Sequence, residues 1–214
     1  MDIKLSITIM AHPKRKEWVK YLLNNLNGEV KVIWDEKNNV WDTARRSWLS
    51  YDPNCSHHLV IQDDVIVSLN LRSAAEKLIK EVPDEIITLS TINYRLNSQE
   101  RETYKKLYRE GVRWYKNTKV LTAPAIIVPT KYIEDMVYAC DFFNSPHDDV
   151  RIRQYCNIHQ AEVHHTVPSL VEHRSTEENK SLVKGNDKNR GTRQVVIFIG
   201  EDKSGLDLDW KKFD

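Results

Sequence analysis

Two adjacent carboxylates, Asp63 and Asp64, follow the apolar run Leu59-Val60-Ile61 in the stretch 57–67, HHLVIQDDVIV. Neighbouring ionised carboxylates repel each other, so a cation or a set of donors is needed to hold both charged. A hard divalent ion, Mg²⁺ or Mn²⁺, takes oxygen ligands and usually shares them with the phosphates of a nucleotide. The plainer explanation is a strand that ends in a turn, because Asp is common in turns. Other residues able to join such a site are Asp35 after VKVIW, the pair Asp148-Asp149, and His173 in PSLVEHR. A divalent ion completed by one imidazole and by phosphate oxygens would use Asp64 and His173, leaving Asp63 for a hydroxyl or a supporting hydrogen bond. Each of these also has a structural explanation: Asp148-Asp149 suit a helix N-terminus, and a histidine after a proline is more often hydrogen-bonded than metal-bound.

The elements around these residues read as an alternation of strands and helices. Ile3–Ile9 is β-rich and is followed by the breaker-containing loop Ala11-His12-Pro13-Lys14-Arg15. Glu17–Leu26 carries Trp18, Tyr21, Leu22 and Leu26 at helical spacing, with Asn27-Gly28 as stop signal, and Val30–Trp34 is a second strand. This βαβ unit predicts a parallel sheet with a right-handed crossover. A helix over Asp42–Tyr51 places Arg45 and Arg46 near the mouth of that sheet, and Leu59–Ile61 is a strand buried on both faces. Further elements are expected at Leu71–Val82 (helix), Glu85–Leu89 and Val120–Pro129 (strands), Tyr132–Phe143 and Arg151–Ile158 (helices), near Glu162–Val167 (strand), and at 195–199, VVIFI (strand). Residues 180–194 read as a mobile loop and 200–214 as a charged tail without clear structure. No linker divides the chain, so a single α/β domain over 1–214 is expected, with a mostly parallel sheet flanked by helices.

Composition narrows the class. With 214 residues there is enough chain for a substantial core, and 32 Lys plus Arg against 31 Asp plus Glu give no global pull toward nucleic acid or membrane. The 3 cysteines, Cys55, Cys140 and Cys156, are an odd, widely spaced set without CxxC, which argues against a disulfide framework and a zinc site. No apolar stretch approaches the ~18 residues of a membrane span, and the first residues lead directly into a strand, so a cytoplasmic, unprocessed protein is expected. Local basicity exists at 101–119, RETYKKLYREGVRWYKNTK, with seven Lys or Arg against two Glu, interleaved with Tyr104, Tyr108, Trp114 and Tyr115. Such a segment can bind phosphates and stack bases, but a charged helix that packs its aromatic stripe on the core is the more usual explanation.

The ordered set ITIMAHPKR, Asp35 after VIW, HLVIQDDV, APAIIVP, HDDVRI and PSLVEHR, spanning roughly residues 3–175, resembles the GT-A fold glycosyltransferases, which depend on a nucleotide sugar and a metal. The resemblance implies a GT-A, Rossmann-like domain with a UDP-sugar as donor and Mn²⁺ or Mg²⁺ as cofactor. It places His12, Arg15 and Asp35 on the base and ribose, Asp63 on the ribose, and Asp64 and His173 on the metal. Arg45 would reach the donor, and Asp148 or Asp149 stands where inverting members keep the base that deprotonates the acceptor. The central motif is Gln-Asp-Asp rather than Asp-x-Asp. The acceptor would be a saccharide, a small molecule or a hydroxylated nucleic-acid base, as for some phage enzymes. The rival readings are a nucleotidyltransferase, which the glycine-free loop after the first strand disfavours, and a non-catalytic nucleic-acid-binding module built on 101–119.

Overall fold

A computed structural model describes residues 3–120, 123–174 and 193–211. The loop expected at 180–194 lies outside these residues except for its last two positions. The chain begins as expected, β1 (Leu5–Ala11), α1 (Lys16–Asn25) and β2 (Lys31–Trp34), followed by α2 (Val40–Leu49) and β3 (His57–Gln62). β1 lies parallel to both β2 and β3, with Ala11 opposite Trp34 and Met10 opposite Gln62. All three strands therefore end at one edge, and His12, Asp35 and Asp63 leave the sheet side by side.

β3 ends at the turn Asp63-Asp64, as the acidic pair after the apolar run suggests. β4 (Val65–Val67) leaves the main sheet and pairs antiparallel with β9 (Val171–His173), Val65 opposite His173. α3 (Leu71–Glu81), β5 (Ile86–Thr88), α4 (Ser98–Arg109), β6 (Trp114–Asn117), β7 (Ala125–Pro129), α5 (Thr130–Asp141), α6 (Asp148–His159) and β8 (Val163–Thr166) complete the elements used below. The seven-stranded sheet has the order β2-β1-β3-β7-β5-β8-β6. β1, β2, β3, β5 and β8 share one direction, whereas β7, wedged between β3 and β5, and the edge strand β6 run the other way.

Burial on both faces follows from the alternation along each central strand. Leu59 and Ile61 join the core under α1 and α3, while Val60 joins the core under α2, α5 and α6. This gives three layers, helices on both faces of a sheet too apolar to face water.

The segment 101–119 divides. α4 sets Tyr104 into the core, its hydroxyl donating to the Thr166 carbonyl at 2.6 Å, and Trp114 is buried on β6. Two of the four rings thus belong to the core, and Lys105 and Lys106 pair with Glu102 and Glu110. α4 starts on a capping box: the Asn97 side chain accepts from the Glu100 amide at 2.9 Å and Glu100 accepts from the Asn97 amide at 2.7 Å. Asn97→Ala is expected to cost about 1 kcal/mol, read as a lower urea midpoint at unchanged slope.

The late chain departs from expectation. VVIFI forms no strand, only isolated bridges from Val195 to Ile92 and from Phe198 to Ser169. The tail expected to lack structure contains a short 3₁₀ turn at Gly205–Asp207 and a fully buried Trp210, whose indole N–H donates to the Gly205 carbonyl. The cysteines are free, and among the described residues no helix is long and apolar enough to cross a membrane.

Candidate active site

Each loop at the shared strand edge is shaped by local chemistry. After β1, the His12 side chain accepts from the Lys14 amide at 3.1 Å and caps the 3₁₀ turn Pro13–Arg15, which brings Arg15 back to the strand ends. After β2, the Asp35 amide donates to the Ala11 carbonyl at 2.7 Å, and the Asp35 carboxylate accepts from the amides of Lys37 and Asn39, both at 3.2 Å. After β3, the β4–β9 ladder and the bond from the Arg174 amide to the Asp64 carbonyl hold His173 beside Asp64.

Asp63 and Asp64 are buried, 3% and 4% exposed, and protein groups answer their mutual repulsion. Arg15 Nη1 stands 2.8 Å from Asp63 Oδ1 and 3.1 Å from Asp64 Oδ2, and the His12 amide donates to Asp63 Oδ2 at 2.6 Å. Burial, and then the Asp64 charge, push the Asp63 carboxyl up, against the pull of Arg15 and the His12 amide. Burial also lowers the His12 imidazole, favouring its neutral form. Arg15, expected on the nucleotide, thus sits on the carboxylates as the cation that the acid pair requires.

Across the opening, Asp148 and Asp149 begin α6. Gln62, the last residue of β3, donates from its side-chain amide to Asp148 Oδ2 at 3.3 Å, and Arg95 Nη2 pairs with Asp149 Oδ2 at 2.9 Å. Burial and the Asp149 charge raise the Asp148 carboxyl to about 7, outweighing the helix N-terminal amides and Gln62, which favour its ionised form. Such a value suits a general base at neutral pH.

These groups line one cavity of about 830 Å³, within the range of small-molecule sites, whose walls include His12, Arg15, Asp35, Asp63, Asp64, Asp148, Asp149 and His173. Arg45 is the exception. Its Nε pairs with Asp141 at 2.9 Å, its side chain is 44% exposed, and it is not part of the wall. Trp41, Arg95, Arg151 and Arg193 stand in the wall without having been singled out. Arg151 stacks on the Trp41 ring at 4.8 Å and donates to the carbonyls of Ser145 and Cys140. Its place in HDDVRI was the only signal available; Arg95 and Arg193 lie in segments with no motif.

Asp64 and His173 offer two ligand atoms that a divalent ion could share. His173 is buried at 7%, and its Nδ1 faces Asp64 Oδ1 at 3.5 Å without making a hydrogen bond among the described residues. Two neighbouring ligands on an ion with ~2.1 Å bonds stand about 3 Å apart, so a small closure would bring both onto one ion. Among the described residues no group of three or more His, Cys, Asp or Glu side chains is placed to hold a metal. Mg²⁺ is commonly held by only one or two protein carboxylates, with water and phosphates supplying the rest.

No family model and no curated protein matches the chain. Among solved structures, the apo form of mouse xyloside xylosyltransferase 1 is similar over 73% of this chain and 68% of that chain, with 10% identity and a TM-score of 0.37. A likeness of that size assigns no chemistry, which has to come from the site itself.

Proposed function

We propose that the protein is a single-domain glycosyltransferase of GT-A type, moving a sugar from a nucleotide sugar, a UDP-sugar, to an acceptor hydroxyl. The observation that carries this reading is the convergence of Asp35, Asp63-Asp64, Asp148-Asp149 and His173, far apart in the chain, on one cavity at the strand ends. In α/β sheets that edge is where ligands bind. Asp64 and His173 would hold Mn²⁺ or Mg²⁺, which supplies Lewis-acid stabilisation of the leaving diphosphate when bound.

The chain's own residues do the rest. Arg15 and Arg193 line the metal side of the cavity and offset diphosphate charge. His12 and Asp35 stand at the β1 and β2 ends, lining the cavity where a nucleoside would lie. Asp148, steadied by Gln62, takes the proton of the acceptor hydroxyl as its oxygen bonds to the sugar's anomeric carbon. The bond from that carbon to the diphosphate breaks, and the diphosphate leaves with the electron pair. The acceptor hydroxyl belongs to a saccharide, a small molecule or a hydroxylated nucleic-acid base.

A panel of UDP-, GDP- and ADP-sugars with Mn²⁺, followed by thermal shift and by donor hydrolysis, tests this. A ligand at a hundredfold excess over its Kd stabilises by about 2.7 kcal/mol, or roughly 5 °C or more for a chain of this size. We expect that shift with UDP-sugars, accompanied by slow hydrolysis. A panel without any shift or hydrolysis would remove the donor assignment.

A further inference from the structure

The carboxylate pair carries its own cation. Besides its contacts of 2.8 and 3.1 Å to Asp63 and Asp64, the Arg15 side chain is only 13% exposed and stacks 5.1 Å from the Trp18 ring, over which Arg174 also stacks at 5.4 Å. Asp63 is committed at both oxygens, Oδ1 to Arg15 and Oδ2 to the His12 amide. Asp64 is shared. Its Oδ2 faces Arg15, with Arg193 at 3.8 Å, and its Oδ1 faces His173.

A divalent ion held by Asp64 Oδ1 and His173 Nδ1 would therefore lie on the far side of one carboxylate from Arg15. In a buried site, like charges that close repel far more than they do in water. A diphosphate brings negative charge that offsets both cations. We infer that Arg15 is a resident counter-cation that makes divalent-ion binding at Asp64 and His173 conditional on a diphosphate. In the free protein the guanidinium opposes the ion, and a nucleoside diphosphate admits it. This rests on the donor reading above and adds a binding order to it. Because coupling is reciprocal, the ion must strengthen diphosphate binding by the same factor.

The test titrates Mn²⁺ alone into wild type, Arg15→Gln and Arg15→Lys, reading free Mn²⁺ by its paramagnetic resonance signal. Calorimetry then gives the affinities of UDP, GDP and ADP with and without Mn²⁺. Arg15→Gln should bind Mn²⁺ alone roughly tenfold more tightly than wild type. Arg15→Lys, which keeps the charge, should stay near wild type, and the gain in diphosphate affinity from Mn²⁺ should shrink in Arg15→Gln. Where Arg15→Gln fails to fold, the wild-type arm can still overturn the proposal, since Mn²⁺ must bind the wild type more tightly with a diphosphate present than alone. Equal Mn²⁺ affinity with and without diphosphate in the wild type, or no gain in a folded Arg15→Gln, overturns the role of Arg15 and leaves donor turnover standing. No Mn²⁺ binding under any condition, together with no donor turnover, overturns the donor reading as well.

Discussion

Asp148→Asn is expected to lower transfer to the acceptor by 10²- to 10⁴-fold, the usual contribution of a general base, while donor affinity stays within about twofold. The amide keeps the shape of the carboxyl and can still meet Gln62, but it cannot take a proton. In the proposed assignment the donor is held by the other wall of the cavity, so a loss confined to turnover would separate a base from a binding group. The pH profile gives a second readout. Since Asp148 is raised to about 7, wild-type kcat/KM should climb as pH rises through that value, and the residual activity of the variant should lack this limb. Stability should move in the opposite sense. A carboxyl raised by burial favours folding while it is protonated, and that contribution is lost as pH rises from the ordinary carboxylate range through about 7. Asp148→Asn should thus melt higher than wild type at pH 8 and gain less at pH 5. Transfer within a few-fold of wild type in a folded variant would put the base elsewhere, with Asp149 the first candidate despite its pairing with Arg95.

Most of the sheet was legible because its signals are local. The β1–α1–β2 start shows in apolar periodicity and an Asn-Gly stop, and β3 and β7 show as continuous apolar runs, so the expected spans fall within two residues of the observed ones except at β7, whose span begins later than expected. The end of β3 at Asp63-Asp64 was legible, but the departure of the next three residues from the main sheet was not. Val65-Ile66-Val67 is as β-prone as the residues before it, and only its pairing with β9, more than a hundred residues later, takes it out of the main sheet. The same non-local ladder brings His173 to Asp64, a pairing that residue chemistry and the resemblance suggested but no local signal could fix. The two arginines of α2, expected together near the sheet mouth, part for a different reason. Arg45 and Arg46 are adjacent on α2, about 100° apart around its axis, and composition does not reveal the faces. Arg46 Nη2 donates to the Trp34 carbonyl at 2.9 Å and supports the β2 end, while Arg45 turns to Asp141. Trp210 was missed because a single aromatic in a charged segment has no period to reveal it, yet it fills the core beside Trp114 at a ring separation of 5.6 Å.

Asp64→Asn is expected to cut Mn²⁺-dependent donor turnover by about a hundredfold or more, given what a Lewis acid supplies to a leaving diphosphate. The comparison with Asp63→Asn makes the result specific to the metal. Asp64 faces His173 with one oxygen and shares Arg15 with the other. An amide there removes a ligand charge and relieves repulsion within the acid pair, so Mn²⁺ affinity measured with UDP should fall while the melting temperature holds or rises. Asp63 is in the reverse position. Both of its oxygens are committed to Arg15 and the His12 amide, and an amide in its place must turn an NH₂ toward one of those donors. Leaving a buried donor without an acceptor costs on the order of 2 kcal/mol and opposes the same relief of burial and repulsion that an amide brings, so Asp63→Asn should melt below Asp64→Asn while its Mn²⁺ affinity changes less. Equal losses of Mn²⁺ affinity in the two variants would mean that both carboxylates bind the ion and that Arg15 is displaced when it enters. Full Mn²⁺-dependent turnover in Asp64→Asn would take the ion away from Asp64 and His173 altogether.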